Sequence, residues 1–433
     1  MMSDQVKMEN SNLSPSQVDR EIRKLCTSTA FYGILELLFT NSFMLLYFSA
    51  LQISSERILF YLALPTLIRI ITLIFFAEQT EKIGKVRAGV LGLSVSAVSA
   101  LLLVGAGFSS RPLVEPLVFL GVLLYGVGYG IFLNSWFPLI STIVPAGRRG
   151  RFFGVMRFIY QSVGIIFTFI VGLTLGKESS IAIFQAYLIA SCVFRIIGIL
   201  IYHRLPELDR HRDSGRTILN SIFHVVGKSG FLPFCSYVFL LSLFTGSCQS
   251  VFSLLAKDTL GMHGGQVIFL GNLVTFGALF GYFCGGLMVD RLGTKYVFLF
   301  CHFSFASSLV LFLSRDFLPL PVMLVIGTLS FVFGIVQAAS GIAVSSEMMA
   351  ISPPDNKPMA TAVCFSLMSL GVSFSGIFSS IILKLGILSP AWTFLGRTFG
   401  PYDALLLFCG VMIFLMTVTL GLVPSVVKKV QWD

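Results

Sequence analysis

The chain has 433 residues, 55% of them hydrophobic and only 12% charged, with 43 phenylalanines, and its mean hydropathy is +0.89. That balance lies far outside the soluble globular range and assigns the chain to a bilayer. The formal charge of +10 does not signal a nucleic-acid partner, because the basic residues are scattered in short groups between apolar segments instead of gathered on one solvated face.

A spanning helix needs about 20 mostly apolar residues, since the hydrocarbon core is about 30 Å thick and a helix rises about 1.5 Å per residue. Twelve segments qualify: 27–51, 58–76, 88–108, 116–144, 152–176 and 181–202, then 231–255, 267–289, 296–313, 321–351, 359–385 and 404–423. Glycines inside them are compatible with helices, because small residues let membrane helices pack closely. The fold class expected is an all-α membrane protein whose twelve transmembrane helices form two pseudo-symmetric six-helix bundles. Residues 1–26 are then a cytoplasmic tail, 27–202 the first bundle, 203–230 a cytoplasmic linker, 231–424 the second bundle and 425–433 a second tail.

Lysine and arginine set the orientation. The inner segments carry Lys82, Lys85 and Arg87, then Arg148, Arg149 and Arg151, then Arg204, Arg210, Arg212, Arg216 and Lys228 in the linker, whereas the outer loops hold only Arg57, Arg111, Lys177, Lys257, Arg315 and Arg397. Both termini are therefore expected in the cytoplasm. The compact outer loops, without N-x-S/T sites, fit a bacterial inner membrane, and no cleavable signal is expected before the first span. The eight cysteines lie in or beside apolar segments without a C-x-x-C pair, so neither a metal site nor a disulfide framework is indicated and no cofactor is expected.

The chain repeats itself. "AEQTEKIGK" follows the second span and "GLMVDRLGTK" the eighth, with Glu81 and Asp290 209 positions apart. "IVPAGRRGRFFG" joins spans four and five and "ISPPDNKPMATA" joins spans ten and eleven, with Pro145 and Pro353 offset by 208. Internal repeats of this kind are characteristic of secondary transporters.

At these residues the chain resembles the major facilitator superfamily, over nearly its whole length. The family's loop signature G-x-L-x-D-R-x-G-R-K is matched by Gly286, Asp290, Arg291, Gly293 and Lys295. The first copy is degenerate, with Ala77 at the glycine position followed by Glu81, Lys82, Gly84 and Lys85, but its charge signs survive. Arg149 and Arg151 in "RRGRFFG" resemble the R-G-R element that opens span five in the family. The resemblance implies alternating access around a cavity lined mainly by spans one, four, seven and ten. It also implies that Asp290 latches against the start of span five near Arg149 and Arg151, and Glu81 against the start of span eleven. Two departures weaken a drug-antiporter reading: "VLLYGVGYG" in span four lacks the arginine of that subfamily, and span five has no G-P pair.

Charges within spans are costly and mark functional sites by default. Glu36 in span one and Arg69 in span two lie at similar depth on antiparallel neighbours, where they can pair either as a fixed lock or to handle substrate and protons. Arg157 and Arg195 lie about 10 Å from the cytoplasmic ends of their spans and are expected to reach the interface. An inward-facing Arg157 would instead favour an anionic substrate. Asn41, Tyr129, Asn134, Gln249 and Gln337 are the neutral polar residues on the presumed cavity helices, available to a substrate or to interhelical contacts alike. His302 and Cys301 are expected in packing, and Lys384 and Glu347 at water.

The function expected is secondary active transport of a small organic solute, an anionic one included, by a proton-coupled monomer. Two alternatives stay open: export of a lipid-like compound, and a transporter-like receptor that binds without moving its ligand. No H-E-x-x-H or G-x-S-x-G motif argues for an enzyme.

Overall fold

The computed structural model describes residues 14–145, 148–176, 180–207, 218–227, 230–351, 357–389 and 391–422. The first half consists of α1 (Pro15–Thr40), α2 (Phe43–Ala50), α3 (Ser55–Ile83), α4 (Lys85–Ala106), α5 (Arg111–Ile143), α6 (Arg149–Thr174) and α7 (Ile181–Tyr202). After α8 (Ile218–Val226) come α9 (Phe231–Thr245), α10 (Cys248–Leu254), α11 (Gly264–Leu292), α12 (Thr294–Leu311), α13 (Val322–Ile351) and α14 (Lys357–Lys384). A hairpin of β1 (Trp392–Phe394) and β2 (Arg397–Phe399) then leads into α15 (Pro401–Leu422). Nine helical segments are long and apolar enough to cross a bilayer, and the bent pair α1 and α2 makes a tenth. With α3 and the shorter apolar α15, the described helices make up the twelve expected of the fold.

Span one departs from expectation at both ends. It starts at Pro15, inside the segment expected as a tail, because Ser14 and Gln17 form a capping box: the Gln17 N–H donates to Ser14 Oγ at 3.4 Å and the Ser14 N–H to Gln17 Oε1 at 2.8 Å. Instead of running on to residue 51, the helix breaks at Asn41 and α2 leaves at 59°. Asn41 adopts an extended backbone and its Oδ1 accepts the Ser42 N–H at 2.6 Å. A short polar side chain that takes a neighbouring backbone donor offers the chain an alternative to helix.

Span seven also breaks, between α9 and α10, and closes with a π-turn, Leu255–Thr259. At the break the Ser247 N–H donates to Ser375 Oγ at 2.9 Å, and the Ser247 hydroxyl lies 2.9 Å from that of Ser379. Hydroxyls on α14 thus satisfy polar groups that an unbroken helix would have paired internally. The expected linker segment contains α8, and the last outer loop folds into the β-hairpin. Leu395 and Gly396, both at positive φ, form the two-residue turn that matches strand twist.

Close helix contacts follow small residues. Gly92 and Gly128 bring α4 and α5 together, each facing the other's backbone oxygen. Gly277, Gly281 and Gly285 of α11 face the backbone of α13, where Gly334 meets the Val274 carbonyl. The two copies of the loop signature share one turn: Gly84 between α3 and α4 has φ +96° and Gly293 between α11 and α12 has φ +79°. By compactness the chain divides into unit one (Met1–Ile53, Leu64–Val171, Ser179–Asp213) and unit two (Ser54–Ala63, Gly172–Glu178, Ser214–Asp433).

Candidate functional site

In unit one, three charged residues meet at mid-span. Glu36 of α1 and Arg69 of α3 are half-buried, with Tyr129 of α5 between them. The Tyr129 hydroxyl donates to Glu36 Oε1, and the Arg69 guanidinium lies 5.5 Å from the centre of the Tyr129 ring. Local packing explains this placement. A Cβ on Gly130 would stand 3.0 Å from the Arg69 carbonyl, so the glycine beside Tyr129 lets α5 close on the Arg69 turn of α3. A Cβ on Gly33 would stand 2.4 Å from the ring of Tyr160, so α6 lays that ring on α1 one turn before Glu36.

Arg195 of α7 is 1% exposed, which corrects the expectation that it reaches the interface. Its donors end on neutral oxygens: Nη1 to the Tyr32 carbonyl at 2.8 Å, Nη2 to Ser96 Oγ at 2.6 Å and Nε to the Leu93 carbonyl at 3.4 Å. Helix rotation decides this, since seven residues from a helix end a side chain turned towards its bundle has no route to water. The positive charges of Arg195 and Arg69 both act on Glu36. A ladder of flat rings completes the group, with Phe39 stacked on Tyr125 at 3.8 Å and Tyr125 on Tyr129 at 5.9 Å.

The other expected residues fall differently. The Asn134 amide donates to the Leu73 carbonyl at 3.0 Å, and buried Asn41 shapes the helix break, so both serve their own bundle's backbone. Arg157 and Gln337 are exposed and Gln249 is half-buried. His302 is fully buried, with Nδ1 2.7 Å from the Phe298 carbonyl and Nε2 3.2 Å from the Tyr237 hydroxyl, and Cys301 is buried beside it. Glu347, expected at water, is 5% exposed and accepts from Thr294 Oγ1 at 2.5 Å, while Lys384 is exposed.

Of the loop residues, Asp290, Arg291 and Lys82 are exposed and Gly286, Lys85 and Lys295 half-buried. The side chains of Glu81, Arg149 and Arg151, and residues 352–356, lie outside the described residues. Glu207, which the sequence did not single out, accepts the Lys85 N–H at the start of α4. Also unforeseen is the buried pair of unit two, in which Arg315 donates to both oxygens of Asp403 at 2.5 and 3.1 Å. Among the described residues no cluster could hold a metal ion. A shallow groove in unit two, lined by Trp392, Leu407, Phe408 and Val411 among others, has no charged lining residue.

Comparison with protein-family models and with curated proteins gives no match. Solved structures do match. A mutant of the nucleoside transporter NupG aligns with a TM-score of 0.72 at 14% identity, over 93% of this chain and 99% of that one. A D-xylose-proton symporter aligns at 0.69 and 15%, over 95% and 100%. A POT family transporter in complex with a thioalcohol-conjugated peptide aligns at 0.69 and 11%, over 94% and 96%. At these identities the likeness establishes the fold.

Proposed function

We propose that this chain, which has the major facilitator fold, is a secondary active transporter that moves a small organic solute by alternating access with proton coupling. The observation that carries the reading is the group of Glu36, Tyr129, Arg69 and Arg195 at mid-span. A carboxylate inside a bilayer protein is costly and marks function. This one is held by a neutral phenol in reach of two positive charges, an arrangement in which it can take up or release a proton while the helices stay packed. The named activities of the structural neighbours, one of them a proton symporter, support the same class.

The basic residues of the inner segments favour both termini in the cytoplasm, and the compact outer loops without N-x-S/T sites favour a bacterial inner membrane; we take the chain to act as a monomer without a cofactor. The signature loops act in gating. The matching left-handed turns at Gly84 and Gly293 support their common role, and exposed Asp290 is the carboxylate on which Asp290→Asn should slow transport.

The test uses the purified chain in proteoliposomes, with a solute first found by thermal-shift screening. Glu36→Gln should abolish uptake driven by a pH gradient while solute exchange continues. Unchanged driven uptake would remove Glu36 from the proton path. Stabilisation by lipids alone would favour a lipid exporter, and binding without uptake a receptor.

A further inference from the structure

The β-hairpin of unit two is fixed at its base and exposed at its tip. At the base, Phe399 is 1% exposed and lies under the Arg315 guanidinium, while the Gly400 N–H donates to Asp403 at 3.0 Å. The Trp392 indole N–H donates to the Gly400 carbonyl at 3.1 Å, and its ring lies 4.9 Å from that of Phe399. The buried pair of Arg315 and Asp403 thereby holds Trp392 in the wall of the groove that it shares with Leu407, Phe408 and Val411 of α15. Paired strand residues share a face, so the register of Trp392 with Phe399 and Phe394 with Arg397 sets Phe394 and Arg397 beyond Trp392 on the face that meets the groove. Phe394 is 51% and Leu395 76% exposed. Arg397 is exposed too, and its guanidinium has no partner among the described residues. The next acid along the chain, Asp403, is already taken up by Arg315 and Gly400.

We infer that the groove is a binding site for an anionic phospholipid of the surrounding bilayer, with an acyl chain along Leu407, Phe408 and Val411 and the phosphate on Arg397. The groove has a volume of about 400 Å³ and no charged lining residue, which suits part of an alkyl chain and not an ionic solute. It is continuous with the lipid-facing surface of α15, because Phe414 and Leu415, three and four residues beyond Val411, are each 52% exposed. Above the groove the chemistry changes in the order of a bilayer's own layers. Trp392 stands where the apolar core meets the headgroups, the level at which membrane proteins place tryptophan, and a planar guanidinium takes phosphate oxygens in pairs. The apolar tip at Phe394 and Leu395 is costly in water and is covered when the hairpin lies in the headgroup layer. Since the buried pair fixes the hairpin before any lipid arrives, little order remains to be imposed on binding. Lys384, exposed at the end of α14, lies outside the groove lining and attracts anionic lipid only in general.

The experiment uses the full chain with Trp136→Phe and Trp432→Phe, which leaves Trp392 alone of the three tryptophans. It is reconstituted in phosphatidylcholine vesicles to which phosphatidylglycerol or phosphatidylcholine with brominated acyl chains is added, since bromine quenches an indole that it touches. Brominated phosphatidylglycerol should quench Trp392 with an affinity about fivefold above that of brominated phosphatidylcholine, the gain expected from one basic residue at an anionic membrane surface. Arg397→Gln should abolish the preference, and Lys384→Gln should keep most of it. Native mass spectrometry of the chain with all its tryptophans gives a second reading: one phosphatidylglycerol should be retained more tightly than phosphatidylcholine, and Arg397→Gln should lose it. Absence of quenching, equal quenching by the two lipids, a preference that survives Arg397→Gln, or an equal loss in Lys384→Gln would each overturn the inference. Displacement of the brominated lipid by soluble glycerol phosphate would overturn it as well, by showing a site for the headgroup without its tail. Because the signal comes from Trp392, the outcome does not depend on which solute the chain moves.

Discussion

Beyond Tyr129, 208 positions along the repeat, stands Gln337, and 209 positions beyond Arg69 stands Ala278. The helices α9 and α10, which make the second unit's counterpart of span one, hold no charged residue at all. Unit two does bury charge, but near its helix ends and with charge-matched or hydrogen-bonding partners. Arg315 and Asp403 are joined by two hydrogen bonds, Asp403 also accepts the Gly400 N–H at 3.0 Å, and Phe399 lies under the guanidinium at 5.5 Å. A carboxylate so fully partnered is held in one place. In unit one the buried arginine ends on neutral oxygens and the carboxylate on a phenol, which under the proposed reading leaves that carboxylate open to a proton. The difference teaches that the partner set of a buried charge, more than its burial, separates a fastening from a working group.

The comparison breaks most readily in unit two. Asp403→Asn strands a buried guanidinium and should cost about 3–5 kcal/mol, read as a large fall in the detergent-solubilised melting temperature. Replacing both partners with apolar residues should restore most of it. In unit one, Tyr129→Phe removes a hydrogen bond to a charged group, worth roughly 1.5–3 kcal/mol, and should appear in function. Proton-driven uptake should fall by about tenfold or more, with a smaller fall in melting than Asp403→Asn gives. If melting falls and uptake per folded molecule does not, Tyr129 belongs with the fastenings. Gly334→Ala would set a Cβ 2.0 Å from the Val274 carbonyl, and overpacking of this kind costs about 1–3 kcal/mol, measurable as lost stability with substrate affinity intact. Smallest of all, Lys384→Gln at the exposed end of α14 should change stability by less than about 0.5 kcal/mol. A larger fall would show that an exposed charge in unit two is more than an interfacial group.

The twelve crossings were legible because a bilayer demands long apolar runs, and span six is found where expected, at Ile181–Tyr202. The breaks were not, because Asn41 and Gly246 sit in apolar surroundings where their local chemistry is masked by hydropathy. Glu36, Arg69 and Tyr129 stood out as polar residues at mid-span. Arg195 and Glu347 were misplaced for one reason: in a helix with lipid on one side and apolar partners on the other, both faces read alike, so periodicity does not reveal rotation. Tyr125 offered a signal that went unread, four residues before Tyr129 and hence on the same helix face. Glu207 offered none, since its contact with Lys85 spans 122 positions.

The paired turns at Gly84 and Gly293 bear on descent. If the two halves arose by duplication, the side chains around these turns have drifted, aspartate against glutamate, arginine against lysine, and glycine against alanine at the head of the motif. The backbone has not: both glycines keep a conformation that costs any other residue steric strain. A Cβ at position 84 would also press into the Glu207 carboxylate at 2.8 Å. The ancestry of this loop is therefore recorded in a torsion angle more durably than in its charges, and distant copies of it are better sought by where glycine must stand than by which acid precedes it.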